Sequence, residues 1–289
     1  MRAKSSLRRA RRAFALVVGL SLAAPWSLAP GGVPEASAQP RPAPRGAKVK
    51  KGKVDVAAQR AALLAGDVER AAAAAAELGK TDDPAAHAAL LEGLGTGLHP
   101  EVAVAALAAL GAAPRPGDLT TLTRYLRARP PAVRAAAVRA LGAHADAGAL
   151  ILTALRDQAE PVRAAAAEAV VARRPRGAAE PLVALLDKGE LPAARALAAI
   201  ADAELARVVA ERIGTAPDGV LAQCLGQILV RPDFGPDPAR VQVVLALAKL
   251  AGPEAITALG DYIDATPATP PRASRREAEN VLKQKLGDD

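Results

Sequence analysis

The chain has 289 residues, a formal net charge of +8, 51% hydrophobic residues and only 2% aromatic ones. Alanine fills much of the apolar share, so large side chains that could line deep pockets are scarce, and thin layers of closely packed helices suit the chain better than a bulky core. The charge points first to nucleic acid, but twelve of the 38 lysines and arginines fall in residues 1–53 against Glu35 alone. The remainder is mildly acidic, which argues against nucleic acid as a partner, because a phosphate-binding groove needs its cations in the binding body.

Residues 1–38 read as a secretory signal peptide. A basic start, MRAKSSLRRARR, precedes the apolar run Phe14 to Ala24, and Ala36-Ser37-Ala38 forms a small-x-small cleavage site before Gln39. The run of about eleven residues, closed by Pro25, is short of the roughly 20 that span a membrane. Export to the periplasm or beyond is therefore expected; an uncleaved inner-membrane anchor is the rival, and Arg11-Arg12 leaves the twin-arginine route open beside the general one. Residues 39–53, QPRPAPRGAKVKKGK, read as a linker whose prolines favour extended geometry and whose six cations repel one another. Such a tether can make a weak contact with an anionic envelope surface or stay solvated.

From Val54 the pattern is helical. Asp67 caps the second helix of a first pair, and Asp83-Pro84 opens the next pair. Pairs follow over Asp118–Arg127 with Pro131–Leu141, Ala147–Arg156 with Pro161–Val171, and Ala178–Asp187 with Pro192–Ala201. Two more run over Ala203–Ile213 with Pro217–Leu229 and Pro238–Leu250 with Pro253–Ile263. Val230 to Pro238 is an irregular loop around Phe234, read as a hinge with a packed aromatic. After a second break at Thr266 to Pro271, Ser274 and Glu277 suggest a capping box for a closing helix with a polar outer face.

The prolines that open second helices carry the period. Pro100, Pro131, Pro161 and Pro192 are 31, 30 and 31 residues apart, and Pro253 lies 61 beyond Pro192. A period held this far marks a repeat array. In the central copy, Val162, Ala165, Ala166, Ala169 and Val170 form one apolar helix face that needs a neighbouring copy to cover it. The expected fold is an all-α solenoid of about seven helical hairpins with a C-terminal capping helix.

The run RDQAEPVRAAAAEAV, Arg156 to Val170, resembles the HEAT-like repeat of the phycobilisome-lyase type in Asp157, Pro161, Val162 and Arg163. PPAVRAAAVRALGA and HPEVAVAALAALGA are neighbouring copies. The resemblance implies a hydrogen-bonded ladder of Asp and Arg between repeats, here Asp157 with Arg163 and Asp187 with Arg195, incomplete at the N-terminal end where Ala103 replaces the Arg. It also implies that second helices line a concave side. There Ala108, Arg139 and Glu168, one per repeat, face outward as the candidate partner surface, with Arg139 able to grip a carboxylate.

Catalytic chemistry is sparse. His87, His99 and His144 make no i, i+4 pair and have no cysteine beside them, so neither a metal nor a cofactor is expected; they read as exposed turn residues. After residue 38 the only serine is Ser274, and the lone Cys224 sits in an apolar run as a small buried hydrophobe. Gly111 and Gly142, which follow leucines at helix ends, read as caps. The functional expectation is an exported, non-enzymatic, monomeric scaffold that binds another protein. The alternatives are an assembly or maturation factor related to bilin-lyase-type proteins and an envelope spacer.

Overall fold

The computed structural model describes residues 54–287. The expected signal peptide, with Ala36 and Ala38, and the linker over 39–53 lie outside the described residues. Within them are fifteen α-helices, one short 3-10 turn and no strand. They form seven hairpins: α1 (Val56–Leu64) with α2 (Val68–Leu78), α3 (Pro84–Thr96) with α4 (Pro100–Ala112), α5 (Asp118–Tyr125) with α6 (Pro131–Leu141), and α7 (Gly148–Ala154) with α8 (Glu160–Arg173). The remaining three are α9 (Ala179–Asp187) with α10 (Leu191–Ile200), α11 (Ala203–Ala210) with α12 (Asp218–Val230), and α13 (Asp237–Lys249) with α14 (Pro253–Ala265). A single helix, α15 (Ala273–Leu286), follows.

Local signals set where helices begin. The side chains of Asp55, Asp67, Asp83 and Asp202 each accept a hydrogen bond from a backbone N–H in the first turn of the helix they precede. The helices α4, α6, α8 and α10 instead carry Pro in the first two positions and have no side-chain cap.

The second helices α2, α4, α6, α8, α10, α12 and α14 form one row, each packed on the next. Their buried faces are mostly alanine: α8 buries Ala165, Ala166, Ala167 and Ala169 with Val162 and Val170. Glycine brings several of these helices closer still. A Cβ placed on Gly111 would lie 2.9 Å from Ala140 Cα, and one on Gly226 would lie 2.6 Å from Ala258 Cβ. The capping role expected for Gly111 is thus corrected, since Gly111 lies inside α4, whereas Gly142 does stand at the C-cap of α6, with φ −56 and its N–H donating to the carbonyls of Val138 and Arg139. Neither needs the left-handed conformation; each gives room to the following helix, Gly142 beside Ala169.

At the C-terminal end α15 packs on α13 and α14. The capping box expected of Ser274 does not form. Ser274 is fully buried, its hydroxyl hydrogen-bonded to Asp237 and 2.6 Å from the Tyr262 hydroxyl. The cap comes from another helix: Asp237 Oδ2 accepts the N–H of Ala273 at 2.9 Å and of Ser274 at 3.3 Å. Burial raises the Asp237 pKa, but these donors outweigh it and hold the carboxyl below its ordinary range. The polar side chains Arg276, Lys283 and Lys285 remain on the closing helix, consistent with an end where stacking stops.

The close approach at Gly111 has a measurable sign. Gly111→Ala should destabilise the protein by about 1–3 kcal/mol, because the added methyl meets α6 backbone. Gly95→Ala, within α3 and facing open space, should be neutral or stabilising by up to about 1 kcal/mol. Urea unfolding of the two variants checks the contrast.

Candidate interaction surface

Ala108, Arg139 and Glu168 are exposed and lie on the successive second helices α4, α6 and α8. Arg139 Nε lies 3.3 Å from Glu168 Oε2, with the two side chains 55% and 63% exposed. An ion pair this open contributes little to stability. It does occupy the guanidinium that sequence reasoning left free for a partner.

The arginines that join repeats lie elsewhere and are far less exposed. Arg134, in the first turn of α6, donates from Nε and Nη2 to Asp157 at 2.9 and 2.8 Å. Its Nη1 donates to the carbonyls of Ala128 and Arg129 in the turn before its own helix. Arg163 in α8 repeats the arrangement: Nη2 lies 2.6 Å from Glu190 Oε1, and Nη1 donates to the carbonyls of Asp157 and Gln158. Helical side chains lean toward the N-terminus, so an arginine one turn into a helix reaches the turn before it. From there its remaining N–H groups meet the next repeat.

The expected ladder is corrected in its partners. The carboxylate of Asp157 is held by Arg134 of the preceding hairpin, and Arg163 touches only the Asp157 carbonyl. Asp187 is paired in two parallel bonds with Arg212, which follows α11, at 2.8 and 2.9 Å. Arg195 is exposed and takes no part. The Arg134 hydrogen bonds, partly opposed by burial and helped by the Ala159 N–H, hold Asp157 below the usual carboxylate range.

Two of the three histidines are also corrected. His99 is exposed, but His87 and His144 are buried. His87 Nε2 lies 2.6 Å from Asp118 Oδ1, and Asp118 Oδ2 accepts the Arg115 N–H at 2.8 Å. Asp118, fully buried at the start of α5, thereby ties α3 to the α4–α5 turn. A pair separated by 31 residues, one repeat, leaves no local trace; only the period itself could have found it. His144 Nε2 is buried without a hydrogen-bond partner.

The loop between α12 and α13 packs as expected. Phe234 is 1% exposed, and the buried Arg240 guanidinium stands 5.6 Å from its ring centre while donating to the carbonyls of Leu229, Arg231 and Phe234. Arg231 reaches back to the carbonyls of Ala198 and Ala201. Cys224 is fully buried, and desolvation pushes its thiol up to about 12, so it is a poor nucleophile. Among the described residues no group of three or more His, Cys, Asp or Glu is placed to hold a metal, and no helix is long and apolar enough to cross a membrane.

Two grooves open between neighbouring helices. One, of about 480 Å³, lies between α12 and α14 and is lined by Gln223, Gln227, Glu254, Thr257 and Asp261 over a floor that includes Gly226 and Ala258. The other, of about 1040 Å³, lies between α11 and α13 with Ala206, Val243 and Ala246 inside and Arg207, Glu211 and Lys249 among its lining.

Residues 119–201, which span most of three hairpins from α5 to α10, match the family model of HEAT repeats. This stretch is a run of HEAT-like repeats. Among solved structures, the HEAT-like array is similar to the complex of CpcE and CpcF of phycocyanin lyase from Nostoc sp. PCC7120, with 18% identity over 84% of this chain and 99% of that one and a TM-score of 0.43. It is also similar to an engineered protein, with 22% identity over 78% of this chain and 77% of that one and a TM-score of 0.42. A search of curated proteins gave no match.

The inter-repeat arginines predict a stability pattern. Arg134→Ala and Arg163→Ala should each cost about 1–3 kcal/mol, since each leaves partly buried acceptors unsatisfied. Arg195→Ala should stay within about 0.5 kcal/mol. Because the folded Asp157 has a lowered pKa, its contribution is complete above the unfolded carboxylate pKa of about 4 and is lost as pH falls through the folded value. Urea midpoints of wild type and Arg134→Ala should therefore draw closer as pH falls from 7 toward 3, with the part owed to the Ala128 and Arg129 carbonyls remaining.

Proposed function

We propose that the chain is an exported, non-enzymatic HEAT-like scaffold that binds another protein. The observation that carries this reading is the set of arginines bridging successive hairpins. Each fixes one repeat on the next through several hydrogen bonds, so exposed side chains on α6, α8 and α10 are held in register as a continuous surface. Fixed geometry lowers the ordering cost of binding. Export rests on the sequence alone: the basic start, the apolar run and the Ala36-Ser37-Ala38 site.

Mass spectrometry of the protein recovered from its native host should find Gln39 as the first residue, and a membrane-bound product retaining residues 1–38 would overturn export. An affinity capture from the periplasmic fraction should recover one protein specifically. Recovery of only lipid or wall polymer would replace the scaffold reading with that of an envelope spacer.

A further inference from the structure

We propose that the groove between α12 and α14 binds an extended basic peptide, with two cations of that peptide seated on Glu254 and Asp261. The inference rests on the scaffold reading and names the chemistry of its partner. Glu254, Thr257 and Asp261 follow i, i+3, i+7 spacing on α14 and line one wall. Gln223 and Gln227, an i, i+4 pair on α12, face them, and Val230, 39% exposed, closes one end with an apolar surface. No lysine or arginine lines the groove, and neither carboxylate is hydrogen-bonded or ion-paired among the described residues.

This sets the groove apart from the charged hollow beside α9. There Arg156, Arg163 and Lys188 stand with Asp157 and Glu180, and the charges of opposite sign lie together. Between α12 and α14 two negative charges stand over a floor formed by Gly226 against Ala258, where a Cβ on Gly226 would lie 3.4 Å from Ala258 Cα. Seven residues of helix set the two acidic positions about 10 Å apart along α14. Three residues of chain in extended polyproline II geometry, one full turn, span about 9 Å and bring positions i and i+3 to the same face. A segment with Lys or Arg at positions i and i+3 therefore matches both carboxylates at once. The glutamine carboxamides donate and accept, as an extended backbone requires, because such a segment leaves its own N–H and C=O groups unpaired.

The test is fluorescence anisotropy with labelled twelve-residue peptides of Gly, Ala and Pro. One carries Arg at positions 5 and 8, a second carries Glu there, and a third carries Arg at positions 5 and 6. The first should bind saturably, more weakly as salt rises, and at least tenfold more tightly than the other two. Glu254→Gln combined with Asp261→Asn, both at the groove surface, should weaken it at least tenfold with an unchanged circular dichroism spectrum and unfolding midpoint. Absence of saturable binding by the first peptide, or equal binding by the folded double variant, overturns the proposal. If affinity capture recovers the same protein with wild type and double variant, the groove is not that protein's site and the scaffold reading stands. If capture recovers none while the first peptide binds as described, the groove stands and the scaffold reading falls.

Discussion

The fold depends on how closely consecutive second helices approach. Alanine faces alanine along the row, and at Gly79, Gly111, Gly142 and Gly226 the side chain is removed where the next helix presents Ala109, Ala140, Ala169 or Ala258. Burial of so many small side chains yields less per residue than a leucine core. The compensation is density: helices packed this tightly gain dispersion contacts along their whole length. Everything else in the array, from the position of the arginines to the groove between α12 and α14, is placed by that spacing.

On this frame polar side chains hold the hairpins together where the apolar contact is thin. Arg134, Arg163 and Arg212 each use the flat guanidinium to grip a carboxylate of a neighbouring repeat. For Arg134 and Arg163 the same group also satisfies carbonyls of a turn, which ties the end of one element to the start of the next. Lysine, with three donors on a single nitrogen, could not reproduce two parallel bonds to the carboxylate together with the bonds to the turn carbonyls. Arg240 does the same work where the period breaks, converting the irregular stretch around Phe234 into a packed corner.

The hairpins were legible in the sequence because their signals are local: prolines at helix starts, aspartate caps and the recurrence of small apolar faces. What the sequence did not show are pairings between repeats. Asp157 and Arg163 are six residues apart and look like partners, but the side chain of each points to a different neighbour, 23 and 27 residues away. His87 with Asp118, and Asp237 with Ser274, hide for the same reason. The groove between α12 and α14 was equally invisible, since its two walls come from helices of different hairpins and neither wall is unusual alone.

The arginine bridges are not spread evenly along the chain. They join hairpins three to six, whereas α2 and α4 at the start meet through Gly79 and Ala109, and Ala103 stands where α6 and α8 have an arginine. The first helices there are linked by Arg60 and Glu92, an open pair with about half of each side chain in water. In a linear array stability is a sum over neighbours, so the weakest junctions set where the chain opens. The junction between the first two hairpins therefore rests on the packing of α2 against α4, with little added by its one open ion pair.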